Sequence, residues 1–249
     1  WTNLLAGAGV RIGRQAVVEA ARASISRLGI GALDIYSLHA PLPYVGGKRA
    51  LYEGLAEVYD LGLCSGIGLC NVGGEQLREA HRELRALGVP LVSNQIKYSI
   101  LNIERELDGT IETCLELGVT PIAHTPLAGG LATAYSAQTV TKRSGRRGRI
   151  GRYHTSQLVT LSRVYEAMSA VGEEAGKMPD GPRSETEVAL NFVRAKGCVP
   201  IPGVNTAEQA LDVANALDWS MDLGQVEALS EQAVLLHSRR RELQWLKNL

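Results

Sequence analysis

Short apolar runs with strand character recur along the chain at the spacing of one βα unit. The first four begin at residues 33, 64, 91 and 119, so their starts are 31, 27 and 28 residues apart. Helical periodicities lie between them. This alternation predicts a parallel sheet, either a (β/α)₈ barrel or a doubly wound sheet. The five predicted strands are Leu33–Leu38, Cys64–Leu69, Leu91–Gln95, Val119–His124 and Cys198–Ile201.

The number of strands favours an incomplete barrel. A (β/α)₈ barrel needs eight strands, and three further units of roughly 30 residues would come to about 90 residues. The first helical pattern, Arg14–Leu28, has no strand before it. We therefore expect a single domain over residues 1–249 that contains strands 4–8 and lacks the first three βα units. In an open barrel we also expect Ile35 and Ile67 to be exposed. The predicted helices are Arg14–Leu28, Gly46–Asp60, Glu75–Leu87, Thr110–Leu117, Ser156–Gly176, Ser184–Lys196, Ala207–Leu217 and Asp222–Leu236.

Composition excludes several classes of protein. The 26 basic and 26 acidic side chains cancel, so no global field attracts nucleic acid or anionic lipid. No apolar run reaches the roughly 18 residues of a membrane helix. The four cysteines lack zinc-ligand spacing, so we expect no metal site. They are typical of reduced thiols, which predicts the cytoplasm or an organelle stroma. The chain begins at Trp1, so a targeting segment is not observable.

Residues 127–155 form the one long irregular stretch. Loops of this length in compact domains are usually lids, binding loops or disordered, and we interpret this one as a loop on the cofactor side. Within it, Lys142–Arg152 holds six basic residues in eleven. Three interpretations stay open: a solvated loop, a lid that binds phosphate, or an RNA-binding segment. The net charge and the lack of an internal aromatic residue argue against RNA.

Polar residues stand where four consecutive predicted strands end. His39 follows the first strand, Cys70 and Asn71 the second, Asn94 and Gln95 the third, and His124, Thr125 and Pro126 the fourth. A barrel brings such strand ends to one rim, and buried polar groups are costly unless they are paired. The pattern favours a shared polar site over separate structural roles.

Five motifs resemble the aldo-keto reductase family, in its branch of potassium-channel β-subunit-like proteins and plant and bacterial reductases. They read LDIYSLH at 33–39, GIGLCN at 66–71, SNQIKYS at 93–99, IAHTPLAGG at 122–130, and PIPG at 200–203 followed by AEQ at 207–209. The resemblance implies a (β/α)₈ barrel that binds NADPH without a Rossmann fold. It also implies hydride transfer to a small-molecule aldehyde or ketone; the oligomeric state stays open.

The resemblance assigns the cofactor contacts residue by residue. Asn71 and Gln95 would bind the nicotinamide carboxamide, and His124 would stack on the ring. Leu127, Gly129 and Gly130 would bring backbone N–H groups to the pyrophosphate. The full implied cofactor set is Cys70, Asn71, Gln95, His124, Thr125, Pro126, Leu127, Gly129, Gly130, Gly203, Asn205, Gln209 and Asp212. Asn205 and Gln209 fall where the family holds the 2′-phosphate, and Asp212 lies near the adenine.

The sequence departs from the family at several positions. Cys70 replaces a usual Ser and His124 a usual Tyr, and no Arg or Lys stands at 205 or 209, so the choice between NADPH and NADH stays open. Of the family's catalytic Asp, Tyr, Lys and His, only the His is matched, by His39. We therefore expect an NADPH-dependent carbonyl reductase whose 249-residue chain is inactive alone. The alternative is a non-catalytic regulatory subunit that binds NADP(H).

Overall fold

A computed structural model of the chain describes residues 13–39, 47–133, 155–176 and 181–247. Within these ranges, helices and strands alternate along most of the chain. The strands are β1 (Leu33–Leu38), β2 (Cys64–Cys70), β3 (Leu91–Lys97), β4 (Thr120–His124) and β5 (Val199–Ile201). The helices are α1 (Arg14–Leu28), α2 (Gly47–Asp60), α3 (Gly74–Ala86), α4 (Glu104–Leu107), α5 (Thr110–Glu116), α6 (Thr155–Ala175), α7 (Glu185–Ala195), α8 (Ala207–Asn215) and α9 (Leu223–Lys247).

Most predicted elements agree with these bounds to within one or two residues. Three differ in a way that has a physical reason. The short helix α4 was not predicted, because four residues carry too little periodicity to detect. Strand β3 runs two residues beyond Gln95, so that Gln95 lies inside the strand. Helix α9 continues eleven residues past Leu236, since no Gly or Pro follows there to end it.

Strand neighbours follow the chain order, β1-β2-β3-β4-β5. The β1–β2 and β2–β3 pairs are parallel, as the βα alternation predicts. The register shifts between Ile67 and Gly68, and after this irregularity Cys70 pairs with Gln95. The irregularity therefore determines which residue of β3 lies beside the carboxyl end of β2.

The chain divides into two compact units. The first comprises the described residues within Trp1–Ile96 and Asp108–Ile122, and the second those within Lys97–Leu107 and Ala123–Leu249. Strand β4 contributes residues to both. The single domain expected over residues 1–249 stays a prediction.

The core of the first unit lies between one face of β1–β2 and the helices. Leu55 of α2 and Leu77 and Leu84 of α3 are at most 1% exposed, and they belong to the same cluster as Ile67 and Leu69 of β2. Removing the apolar surface of one Leu or Ile side chain from water stabilises the folded state by about 1.5–3 kcal/mol. The strand face that carries Ile67 is therefore the main packing surface of this unit.

The expectation for Ile35 and Ile67 is half wrong. Ile35 is 43% exposed, as expected, but Ile67 is 0% exposed. The register pairs Ile67 with Tyr36 and pairs Ile35 with Gly66. Because successive residues of a strand face opposite sides, Ile67 lies on the face opposite Ile35 and packs against the helices.

The second unit has a separate core around an aromatic pair. The rings of Tyr98 and Phe192 are stacked with centroids 6.4 Å apart, and both are fully buried. Phe192 lies on α7, which begins with a capping box in which Ser184 and Glu187 bond each other's backbone N–H groups. The cap fixes the start of α7, so that its apolar residues face this core.

Candidate functional site

The first unit brings three of the predicted site residues together at the carboxyl end of β2. Cys70 and Gln95 are register partners on adjacent strands. The Asn71 backbone N–H donates to the Gln95 carbonyl oxygen at 2.7 Å, and the Cys70 thiol donates to Gln95 Oε1 at 3.8 Å. The side chains of Asn71 and Gln95 thus start from directly neighbouring points of the backbone.

Asn71 has a left-handed backbone conformation, with φ of +58°. Positive φ is uncommon for residues other than glycine, although Asn tolerates it best. The strand ends at this residue and the chain turns toward α3. This conformation was not predictable from the residue type, because Asn is also common in ordinary turns.

The resemblance assigned no role to Asn94, but its side chain holds Val72, the residue that follows Asn71. Its Nδ2 donates to the Val72 carbonyl oxygen at 2.9 Å, and its Oδ1 accepts from the Val72 N–H at 3.5 Å. Its Nδ2 also lies 3.8 Å from Cys114 Sγ. Asn94 is 0% exposed, so its amide is used entirely within the protein.

Burial keeps the thiol of Cys70 protonated. Desolvation raises its pKa to about 11, because a thiolate is poorly stabilised away from water. At neutral pH Cys70 is therefore an S–H donor, and the Gln95 amide oxygen is its acceptor. This contact orients the Gln95 amide with its oxygen toward Cys70.

The second unit contains the predicted residues around the end of β4. The Tyr98 backbone N–H donates to the His124 carbonyl oxygen at 3.4 Å. The His124 ring nitrogen Nδ1 lies 3.0 Å from Thr125 Oγ1. Thr125 has a φ of +59°, which is a strained conformation for a β-branched residue. The strain marks this turn as a functional candidate independently of the resemblance.

The strained turn continues through the glycine pair. Ala128, Gly129 and Gly130 all have positive φ, at +49°, +69° and +90°. The Gly130 N–H donates to the Leu127 carbonyl oxygen at 2.9 Å, so that N–H is engaged within the turn in this structure. Pro126 is buried at its start. The turn exposes backbone without side chains at two successive positions.

Residues Gly203–Asp212 form a third group of predicted contacts, also in the second unit. The Asn205 N–H donates to Gln209 Oε1 at 2.8 Å, and Gly203 is exposed. Asp212 Oδ1 accepts from Ser184 Oγ at 2.6 Å. Since Ser184 is the N-cap of α7, Asp212 serves at least to hold this cap.

The remaining predictions concern His39, residues outside the described part of the chain, and the convergence of side chains from the two units. His39 follows β1 and is partly buried. Residues 134–154 of the predicted long loop, which include Lys142–Arg152, lie outside the described residues. Asn71 and Gln95 belong to the first unit and His124 to the second, so the expected convergence of these three side chains stays a prediction.

Metal-binding clusters and membrane-spanning helices are both absent from the described ranges of the chain. No group of three His, Cys, Asp or Glu side chains there is arranged to hold a metal ion. None of the helices in that part of the chain combines the length and apolar composition that a membrane span requires.

Comparison with known proteins identifies a family. The family model described as "Aldo/keto reductase family" matches residues 3–233. The chloroplastic pyridoxal reductase of Arabidopsis thaliana is 34% identical over 212 residues, which cover 82% of this chain and 54% of that protein. The aldo-keto reductase str7 of Strobilurus tenacellus is 26% identical, over 94% of this chain and 69% of its own length. The chain thus spans about half the length of the plant relative.

Solved structures show the same fold. A thermostable aldo-keto reductase, Tm1743, superposes with a TM-score of 0.69 at 20% identity, over 89% of this chain and 68% of its own. The holo form of aldo-keto reductase AKR11C1 from Bacillus halodurans gives 0.66 at 17% identity, over 88% and 67%. Over the matched part, the chain therefore has the fold of these barrels.

Proposed function

Because the chain belongs to the aldo/keto reductase family, we propose that it binds NADP(H) and serves hydride transfer to the carbonyl carbon of an aldehyde or ketone. One observation carries the proposal. The Asn71 N–H donates to the Gln95 carbonyl oxygen, which holds the backbones of two amide residues together at the carboxyl end of a parallel sheet. Ligands of such sheets bind at this end of the strands.

The residues of the first unit fit the nicotinamide carboxamide. A carboxamide offers one acceptor oxygen and two N–H donors, and so does each of Asn71 and Gln95. Gln95 uses its amide oxygen for the Cys70 thiol, which leaves its nitrogen to donate to the carboxamide oxygen. Asn71 would complete the pair and determine which face of the ring meets the substrate.

The residues of the second unit fit the rest of the dinucleotide. Gly129 and Gly130 have no side chains, so a pyrophosphate can approach their backbone closely. His124 would supply a flat ring for the nicotinamide, with Thr125 Oγ1 held 3.0 Å from its Nδ1. Asn205 and Gln209 already contact each other and would present one polar patch to the ribose phosphate, with Asp212 nearer the adenine.

When bound, the reduced nicotinamide supplies a hydride. His39 would donate a hydrogen bond to the substrate carbonyl oxygen, which orients it and stabilises the negative charge that develops there. Members of the family use a Tyr as the general acid, together with an Asp and a Lys, and no residue of this sequence was matched to these three. We therefore propose that the 249-residue chain by itself binds NADP(H) and turns over no substrate.

The missing matches also favour one second candidate. A chain with the cofactor contacts and without the proton donor would act as an NADP(H)-binding regulatory subunit. Binding alone does not separate the two functions. They differ in whether turnover appears once a Tyr, Asp and Lys set is supplied by further chain.

A fluorescence titration with NADPH tests the proposal. We expect saturable binding by the purified chain, weakened about tenfold in Asn71→Ala and in Gln95→Ala, since each loses about one hydrogen bond to the carboxamide. Gln15→Ala, an exposed amide on α1, is the matched control and should bind as the wild type does. Failure of the wild-type chain to bind at millimolar NADPH would refute the proposal.

The same preparation tests the absence of turnover. NADPH absorbance is followed with an aromatic aldehyde as the carbonyl substrate. We expect binding without oxidation of NADPH. Steady oxidation that is lost in His39→Ala would show that this chain carries its own proton donor.

A further inference from the structure

The side chain of Asn94 makes an unusual set of contacts just beyond the end of β2. Its amide pairs with both backbone groups of Val72, at 2.9 Å to the carbonyl oxygen and 3.5 Å from the N–H. A neighbouring strand would make the same two bonds. Beyond Cys70, where β2 ends, one side chain thus takes the place of a backbone partner.

This pairing immobilises Asn71 from both sides. The Asn71 N–H is bonded to the Gln95 carbonyl oxygen at 2.7 Å, and the residue that follows it is bonded to Asn94. Between these two fixed points, Asn71 has a φ of +58°. Asn adopts a left-handed conformation at a lower cost than most residues other than glycine, and the two flanking hydrogen bonds hold Asn71 in it.

We propose that Asn94 is a positioning residue for the cofactor, which directs the Asn71 side chain by holding Val72. The inference rests on the proposed function, in which Asn71 binds the nicotinamide carboxamide. Asn94 is 0% exposed and does not itself reach a ligand. Its effect on binding is therefore specific to the nicotinamide end of the dinucleotide, since Asn71 is the group that it directs.

If Asn94 only stabilised the fold, replacing it would affect cofactor binding no differently from replacing another buried Asn. Asn191 of α7 provides the comparison, because it is also a buried Asn, 2% exposed, whose Nδ2 donates to a backbone carbonyl oxygen, that of Ala216, at 2.8 Å. Replacing either Asn by Ala removes the same kind of buried hydrogen bond. Asn94 lies beside a predicted contact of the nicotinamide, whereas Asn191 bonds the end of α8, whose predicted contacts are with the phosphate and the adenine that both probes below contain.

The experiment compares two probes by calorimetry, NADP⁺ and 2′-phospho-ADP-ribose, which lacks the nicotinamide. In the wild-type chain NADP⁺ should bind more tightly. Asn94→Ala should weaken NADP⁺ by about tenfold, the loss of about one hydrogen bond, and leave 2′-phospho-ADP-ribose nearly unchanged. Asn191→Ala should leave the ratio of the two dissociation constants as it is in the wild type. A wild-type ratio in Asn94→Ala, or an equal change in Asn191→Ala, would overturn the inference.

The outcomes separate this inference from the proposed function. If the wild type binds neither probe, or binds both equally, the carboxamide site itself is wrong and the inference falls with it. If the wild type prefers NADP⁺ and Asn94→Ala keeps that preference, only the inference falls. If Asn94→Ala fails to fold, Asn94→Ser replaces it and Asn191→Ser becomes the control. The ratio of the two dissociation constants is then compared in the same way.

Discussion

Replacing Tyr98 by Phe should destabilise the second unit by more than a typical Tyr-to-Phe change. Tyr98 is fully buried, and its hydroxyl donates to Glu106 Oε2 at 2.6 Å. The other oxygen, Oε1, accepts from Lys196 Nζ at 2.6 Å. A hydrogen bond to a charged group contributes about 1.5–3 kcal/mol, against about 0.5–1.5 kcal/mol for a neutral one. The stacking on Phe192 is retained, so we expect a loss of about 2 kcal/mol.

The assay is urea unfolding, with Tyr165→Phe as the matched control. The Tyr165 hydroxyl is also buried and donates to a neutral acceptor, the Leu131 carbonyl oxygen, at 2.7 Å. We expect Tyr165→Phe to cost about 1 kcal/mol. The change in the free energy of unfolding of the double variant Tyr98→Phe/Lys196→Met should differ from the sum of the changes in the two single variants, because both residues bond Glu106. A loss in Tyr98→Phe no greater than in Tyr165→Phe would refute the assigned contribution of the charge.

Three further outcomes can be measured by the same unfolding assay. Gly68→Ala should destabilise by about 1–3 kcal/mol, because its Cβ would overlap the serine hydroxyls of both neighbouring strands; an unchanged midpoint would contradict the packing. Burial raises the pKa of Cys70 and Cys114 to about 11, above the roughly 8.5 of an unfolded thiol. The folded state therefore holds these two protons more tightly than the unfolded state does. The stability that the protonated thiols contribute is fully present below about pH 8.5 and is lost as the pH rises toward 11. The double variant with both cysteines changed to Ala should show a smaller alkaline loss than the wild type. Ala128→Gly, at a φ of +49°, should be neutral or stabilising, whereas Ala210→Gly within α8 should cost about 1 kcal/mol; equal losses in the two variants would show that residue 128 is unstrained.

The order of the elements was predictable because the relevant information is local. Apolar residues at a period of 2 or 3.6, ended by Gly88 and Gly118, identify strands and helices without knowledge of their neighbours. The same applies to the family motifs, which are short and contiguous. Recognition of the family was confirmed by the match over residues 3–233.

The contacts within the candidate site were less predictable. Cys70, Asn71 and Gln95 were expected at strand ends, but their pairing depends on the register shift between Ile67 and Gly68. A shift of one residue reverses the faces of a strand, and nothing in either strand's own sequence reports it. The error over Ile67 concerns the β1–β2 register instead, which pairs Ile67 with Tyr36 and so places it on the face opposite Ile35.

The sequence by itself determined the alternation of helices and strands, the family, and the residue types available at the strand ends. The tertiary structure alone decided that Asn94 bonds Val72, 22 residues away, and that Lys196 reaches Glu106, 90 residues away. It also imposed positive φ on Thr125 and Ala128. Periodicity is a property of neighbouring residues, whereas register, long-range pairing and backbone strain arise only when distant segments pack against one another.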